Sequence, residues 1–139
     1  MAVKQKNPPK YPSVMLIDDN EIDNFINQKM IEGSNFSSRV YVHTGSRSAL
    51  EFYQNLTRAE GIPADLFPSV IFLDINMPLM DGFQFLEEFE KIAGKRKEKI
   101  KIVMLTTSIN PSDETVSKKN KYVVGFLNKP LTEKHLKEI

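Results

Sequence analysis

Val14-Met15-Leu16-Ile17-Asp18-Asp19 and Val70-Ile71-Phe72-Leu73-Asp74 are unbroken apolar runs, each closed by acid. A short continuous apolar run is the pattern of a strand covered on both faces, as in a parallel sheet. In an open parallel sheet, ligands bind in the crevice beyond the carboxyl ends of the strands. Asp18, Asp19 and Asp74 would therefore meet at one rim. Carboxylates packed that closely repel, and at least one pKa should rise unless a cation compensates. Mg²⁺, a hard ion that takes oxygen ligands and keeps several waters, suits such a cluster. The cluster reads as a metal-dependent phosphoryl site.

Two further strand ends point at the same rim. Ile100 to Leu105 runs into Thr106-Thr107-Ser108, and Val123 to Leu127 runs into Asn128-Lys129-Pro130. They add a hydroxyl donor and a positive charge, the groups that the equatorial oxygens of a transferring phosphoryl group need. The set is Asp18, Asp19, Asp74, Thr106 and Lys129.

Outward from these strands, helical patterns alternate with them. Asn20 can cap a helix with Asp23 three residues on, followed by Ile22, Phe25, Ile26 and Met30 at helical spacing and Gly33 at the end. A second strand is expected around Arg39 to His43, then a helix from about Ser46 to Leu56 with Ala49, Tyr53 and Leu56 on one face. Phe85, Leu86, Phe89 and Ile92 define a third helix. A fourth, about Ser112 to Asn120, has Val116 as almost its only apolar residue and should be the least firmly packed. The fifth begins at Thr132 with Leu136 and Ile139 a turn apart, shorter than a full crossover helix, as if truncated. Five strand–helix cycles imply an α/β fold with a parallel sheet, right-handed crossovers and helices on both faces.

Bulk properties set the limits. At 139 residues the chain fits one domain. Net charge is +1, from 19 basic against 18 acidic residues, so no broad attraction to nucleic acid or anionic membrane is expected. The absence of cysteine excludes disulfides and thiolate chemistry. Neither a signal-peptide core nor a stretch approaching about 18 apolar residues is present, so a soluble, cytoplasmic protein is expected. Residues 1–12 carry three prolines and three lysines and read as a flexible arm before a domain over 13–139. His43 and His135 lack metal-ligand spacing. No Gly-rich nucleotide loop occurs.

The Asp18-Asp19 pair, the run Leu73-Asp74-Ile75-Asn76-Met77-Pro78-Leu79-Met80-Asp81-Gly82, the Leu105-Thr106-Thr107 turn and Lys129-Pro130 resemble, in this order, the motifs of a receiver domain. The family is that of bacterial two-component response regulators, here of the single-domain type. The resemblance covers the chain from about Tyr11 to its last residue. It implies a flavodoxin-like, doubly wound, five-stranded parallel sheet in order 2-1-3-4-5. It implies that Asp74 is the phosphoacceptor and that Asp19 ligates Mg²⁺ directly. Asp18 would hold metal-bound water, with Asp74 and the Asn76 backbone carbonyl completing the protein ligands. Thr106 would be the switch hydroxyl, Lys129 the ammonium on the phosphoryl group, Phe126 the aromatic switch, and Lys129-Pro130 a cis peptide.

The implied partners are a sensor histidine kinase or histidine phosphotransfer protein, with a downstream protein target or a phosphorylation-dependent homodimer as output. Each residue also has a plainer reading. Asp74 alone could cap a turn, Asp18 and Asp19 could favour a helix N-terminus, Lys129 could be a solvated lysine, and Phe126 could be core. The rival function is a small Mg²⁺-dependent phosphohydrolase with a transient aspartyl phosphate. Such hydrolases usually place the second acid two residues after the nucleophile on one strand, whereas here the acids come from two strands. A binding module, not an enzyme, is the expected class.

Overall fold

The register between β1 and β3 decides where the acids fall. The computed structural model describes residues 7–139. Strands β1 (Tyr11–Ile17), β2 (Ser37–His43), β3 (Val70–Asp74), β4 (Lys101–Thr106) and β5 (Val123–Asn128) alternate with helices α1 (Glu21–Gly33), α2 (Ser46–Arg58), α3 (Gly82–Ala93), α4 (Pro111–Lys118) and α5 (Glu133–Lys137). All strand pairs are parallel, in order β2-β1-β3-β4-β5. Ile17 lies beside Leu73, Asp74 beside Leu105, and Thr106 beside Asn128. The next residue along β1 is Asp18 and the next along β5 is Lys129, so the charged groups gather at one end of the sheet.

The apolar runs are strands because both of their faces are covered. Val14 to Ile17 and Val70 to Leu73 are all fully buried. Met15, Ile17, Ile71, Leu73, Ile102 and Met104 pack with Ala49 and Tyr53 of α2 and Phe85 and Phe89 of α3. On the opposite face Val14, Leu16, Val70, Phe72, Val103 and Leu105 pack with Ile31 of α1 and Leu136 of α5. Each such side chain contributes roughly 1.5–3 kcal/mol by leaving water, so the central strands form a stiff platform.

Caps fix the loops that leave that platform. Asn20 accepts from the backbone of Ile22 and Asp23, Asp81 and Gln84 form a capping box, Asn110 caps α4 ahead of Pro111, and Thr132 caps α5. Gly82 has no room for a side chain: a Cβ there would lie 2.8 Å from the Asp74 carbonyl oxygen and 3.0 Å from Ile75 Cα. Its N–H donates to the Ile75 carbonyl at 2.9 Å, which closes the loop after Asp74.

Two helix faces run against hydropathy, and one expected boundary changes. The apolar stripe of α1 faces outward, with Ile22, Phe25 and Ile26 exposed, while Asn24, Asn27 and Ile31 are buried. The cause is hydrogen bonding at the helix's inner face: Asn24 Nδ2 donates to the Asp18 carbonyl at 2.8 Å, and Asn27 Oδ1 accepts from Leu131 N–H at 2.9 Å. In α4, likewise, Val116 is exposed and Ser117 is the buried residue, its hydroxyl turned back onto the Asp113 carbonyl. That helix buries little apolar surface, which agrees with its expected loose packing. Tyr11 and Pro12, assigned to the arm, belong to β1, because Tyr11 N–H donates to the Phe36 carbonyl and its ring packs on Phe36. The first six residues of that arm lie outside the described residues.

Candidate functional site

The carboxylates of Asp18 and Asp74 are buried and that of Asp19 is exposed, and one oxygen from each lies within 4.8 Å of the others. Asp18 is held by its position after Ile17 and by its Oδ1, which accepts from Asn20 N–H at 2.9 Å. Burial, followed by repulsion from Asp18, lifts the Asp74 pKa from 3.8 to about 7, against the pull of the Lys129 ammonium and the Asn76 N–H. A pocket of hard oxygen donors whose own charges oppose one another fits a divalent cation.

Lys129 reaches into this cluster from the end of β5. Its backbone N–H donates to the Thr106 carbonyl at 2.8 Å, and the Lys129-Pro130 peptide is cis, as the resemblance implies. The ammonium lies 2.8 Å from Asp18 Oδ2, 2.9 Å from Asp23 Oδ2 and 3.6 Å from Asp74 Oδ1. Burial alone would lower the Lys129 pKa. The hydrogen bonds to Asp18 and Asp23, with the charges of Asp18 and Asp74, outweigh it and hold the group above its ordinary value.

Thr106 is buried at the end of β4, and its hydroxyl donates to the Ser108 carbonyl at 2.9 Å. It is bonded within its own loop, not to Asp74. Phe126 is half-buried, beside Met104 in the register and packed against the α2–α3 side of the core. The Asn76 side chain is exposed, and its N–H faces the Asp74 carboxylate. The structure thus brings Asp18, Asp19, Asp74 and Lys129 together, places Thr106 on the neighbouring strand, and leaves Phe126 behind it.

Asp23, Asn24 and Asn27 were not singled out as site residues in the sequence. Asp23 looked like an ordinary first-turn acid. The spacing of Asn24, Asn27 and Ile31 along one helical face was the available signal, since it marks a second stripe opposite Ile22, Phe25 and Ile26.

Residues 14–139 match the response regulator receiver domain family. The chain belongs to that family. Among curated relatives it is similar to response regulator Rcp1 of Synechocystis sp., at 28% identity over 95% of this chain and 84% of that one. It is also similar to a probable methanogenesis regulatory protein, FilR2, of Methanothrix harundinacea, at 28% identity over 89% of this chain and 76% of that one. A two-component response regulator from Cytophaga hutchinsonii superposes with a TM-score of 0.83 at 29% identity, covering 92% of each chain. A receiver protein from Dyadobacter fermentans shares the fold, with a TM-score of 0.76 at 24% identity over 91% of this chain and 92% of that one. Receiver domains are signalling modules that interact with histidine kinases or phosphotransfer proteins, and the acid cluster of this receiver domain fits the family's Mg²⁺ site.

Proposed function

We propose that this receiver domain accepts a phosphoryl group on Asp74 from the phosphohistidine of a sensor kinase or phosphotransfer protein, with Mg²⁺, and thereby switches its affinity for a protein partner. One observation carries the reading: the Asp74 carboxylate is buried among Asp18, Asp19 and Lys129, a setting that suits a small cation and, with it, a phosphoryl group. An Asp74 oxygen attacks phosphorus while the P–N bond breaks and its electron pair returns to the imidazole, leaving an acyl phosphate. Bound Mg²⁺ would supply charge neutralisation for the phosphoryl oxygens, held by Asp18, Asp19, Asp74 and the Asn76 carbonyl. Lys129 offers an ammonium to the same oxygens. The phosphohydrolase reading is disfavoured because the position two residues after Asp74 is the uncharged Asn76.

The output runs through α4, β5 and α5. Thr106 exchanges its bond to the Ser108 carbonyl for one to a phosphoryl oxygen, Phe126 moves into the space vacated behind it, and the weakly anchored α4 shifts. The switched face then binds a target protein or a second copy, in the cytoplasm. Coupling of this kind is typically worth about 1–3 kcal/mol, or roughly 5- to 150-fold in affinity.

Incubation with acetyl phosphate and Mg²⁺, followed by intact mass measurement, tests the acceptor. One phosphate should be added to the wild type, none to Asp74→Asn, and little in EDTA. Equal labelling of the variant, or labelling undiminished by EDTA, overturns the assignment.

A further inference from the structure

Lys129 already commits two of its ammonium donors before any phosphoryl group arrives. An ammonium has three donors, and good N–H···O bonds fall at about 2.7–3.2 Å. Asp18 at 2.8 Å and Asp23 at 2.9 Å meet that range, whereas Asp74 at 3.6 Å does not. Asp23 stands apart from the three acids that fit a cation. Its place is fixed independently of Lys129, because its own N–H bonds the Asn20 cap at 3.0 Å in the first turn of α1. Asp18 remains with the metal cluster, so Asp23 is the partner whose principal contact is the ammonium itself.

We infer that Asp23 is a positioning residue, a latch that holds Lys129 back toward α1 and against which the phosphoryl group on Asp74 must compete. The inference rests on the assignment of Asp74 as phosphoacceptor. Formation of the acyl phosphate draws Lys129 from Asp23 toward the new oxygens. The freed Asp23 carboxylate, only part-buried, turns to water at the start of α1. The latch therefore sets the affinity for the phosphoryl group and marks the first turn of α1 as a second place, besides α4, where modification is felt.

Beryllofluoride, a phosphoryl mimic, tests this in Mg²⁺ buffer, with affinity and the Lys129 ammonium resonance followed by NMR. Asp23→Asn should bind the mimic roughly tenfold more tightly than wild type, the size of about one charge-assisted hydrogen bond. Its ammonium resonance should already be displaced before the mimic is added. Asp23→Ser should repeat the gain, and Asp23→Glu should restore wild-type behaviour. Glu21→Gln removes a neighbouring exposed acid that makes no bond to Lys129 and should leave affinity within about twofold. An equal gain in Glu21→Gln, or no gain in Asp23→Asn and Asp23→Ser while the wild type binds at Asp74, overturns the latch alone. Failure of the wild type to bind, or binding retained by Asp74→Asn, overturns the acceptor assignment and the latch with it.

Discussion

Neutralising Asp74 should stabilise the metal-free protein, and the gain should depend on pH. The native carboxyl titrates near 7, against an ordinary 3.8, because it is buried and faces Asp18. Between these values the native state keeps a proton that the unfolded chain has lost. Stability therefore falls as pH rises through this window, and the full penalty is present above the native pKa. At about 1.4 kcal/mol per pH unit the ceiling is about 4 kcal/mol, and relaxation of the neighbouring charges reduces it to about 1–3 kcal/mol. Asp74→Asn removes the penalty while keeping the shape of the side chain. In EDTA at about pH 8 the variant should be more stable by that amount, or roughly 3–10 °C in melting temperature. At about pH 4, near the ordinary carboxyl value where the penalty has barely begun, the two proteins should melt nearly together. Millimolar Mg²⁺ should close or reverse the gap at the higher pH, because it compensates the wild-type charge alone. Urea or thermal unfolding at both pH values, with and without Mg²⁺, checks each arm. A gap that does not grow with pH, or a variant less stable than wild type at about pH 8 in EDTA, refutes the repulsion argument.

Other changes read different parts of the structure. Gly82→Ala should cost about 1–3 kcal/mol in urea unfolding, because its Cβ would press on the backbone of Asp74 and Ile75. Asn27→Ala leaves the buried N–H of Leu131 without its partner and should cost a similar ~1–3 kcal/mol. Thr106→Ala should still bind beryllofluoride but show blunted amide shifts from Thr106 to Lys129. Shifts confined to the loops at Asp18 and Asp74 in the wild type would show that the output face lies elsewhere. The acyl phosphate should persist for minutes or longer after donor removal, since Asn76 and Ser108 are short, uncharged side chains poorly suited to orienting attacking water; loss within seconds would contradict this.

The sheet was legible because every strand that positions the site is either a solid apolar run or ends in a recognisable polar signal. Val14 to Asp19 and Val70 to Asp74 state in sequence both the burial and the place where it stops. Periodicity also placed α1, but it does not say which face turns inward. Hydropathy ranks Asn24 and Asn27 as solvent-facing, and it cannot register that each has a backbone partner waiting inside, at Asp18 and Leu131. Burial of a polar group is tolerated where such partners exist, and the partner of Asn27 lies 104 residues away in sequence. In α4, likewise, the apolar Val116 is exposed while Ser117 takes the buried position. The same limit hid Asp23, whose partner lies 106 residues away.

The two groups that would greet a phosphoryl oxygen are both engaged at rest, Thr106 by the Ser108 carbonyl and Lys129 by Asp18 and Asp23. A site whose hydroxyl and ammonium pointed freely at Asp74 would be preorganised for the modified state and would leave little difference between the two states to transmit. In the proposed switch each contact made with the phosphoryl group would compete with one made elsewhere, so the modification would be felt beyond Asp74. The proposed exchange at Thr106 would release the loop that leads to α4, and that at Lys129 would release the first turn of α1. Only a ligand with different free energy in the two arrangements can shift their balance, and these competing bonds supply that difference. It follows that Thr106→Ala and Asp23→Asn should act on separate outputs. Amide exchange should lose its response in α4 in the first variant and in the α1 first turn in the second, while the other response persists. Loss of both responses in either single variant would mean that the two exchanges form one concerted step.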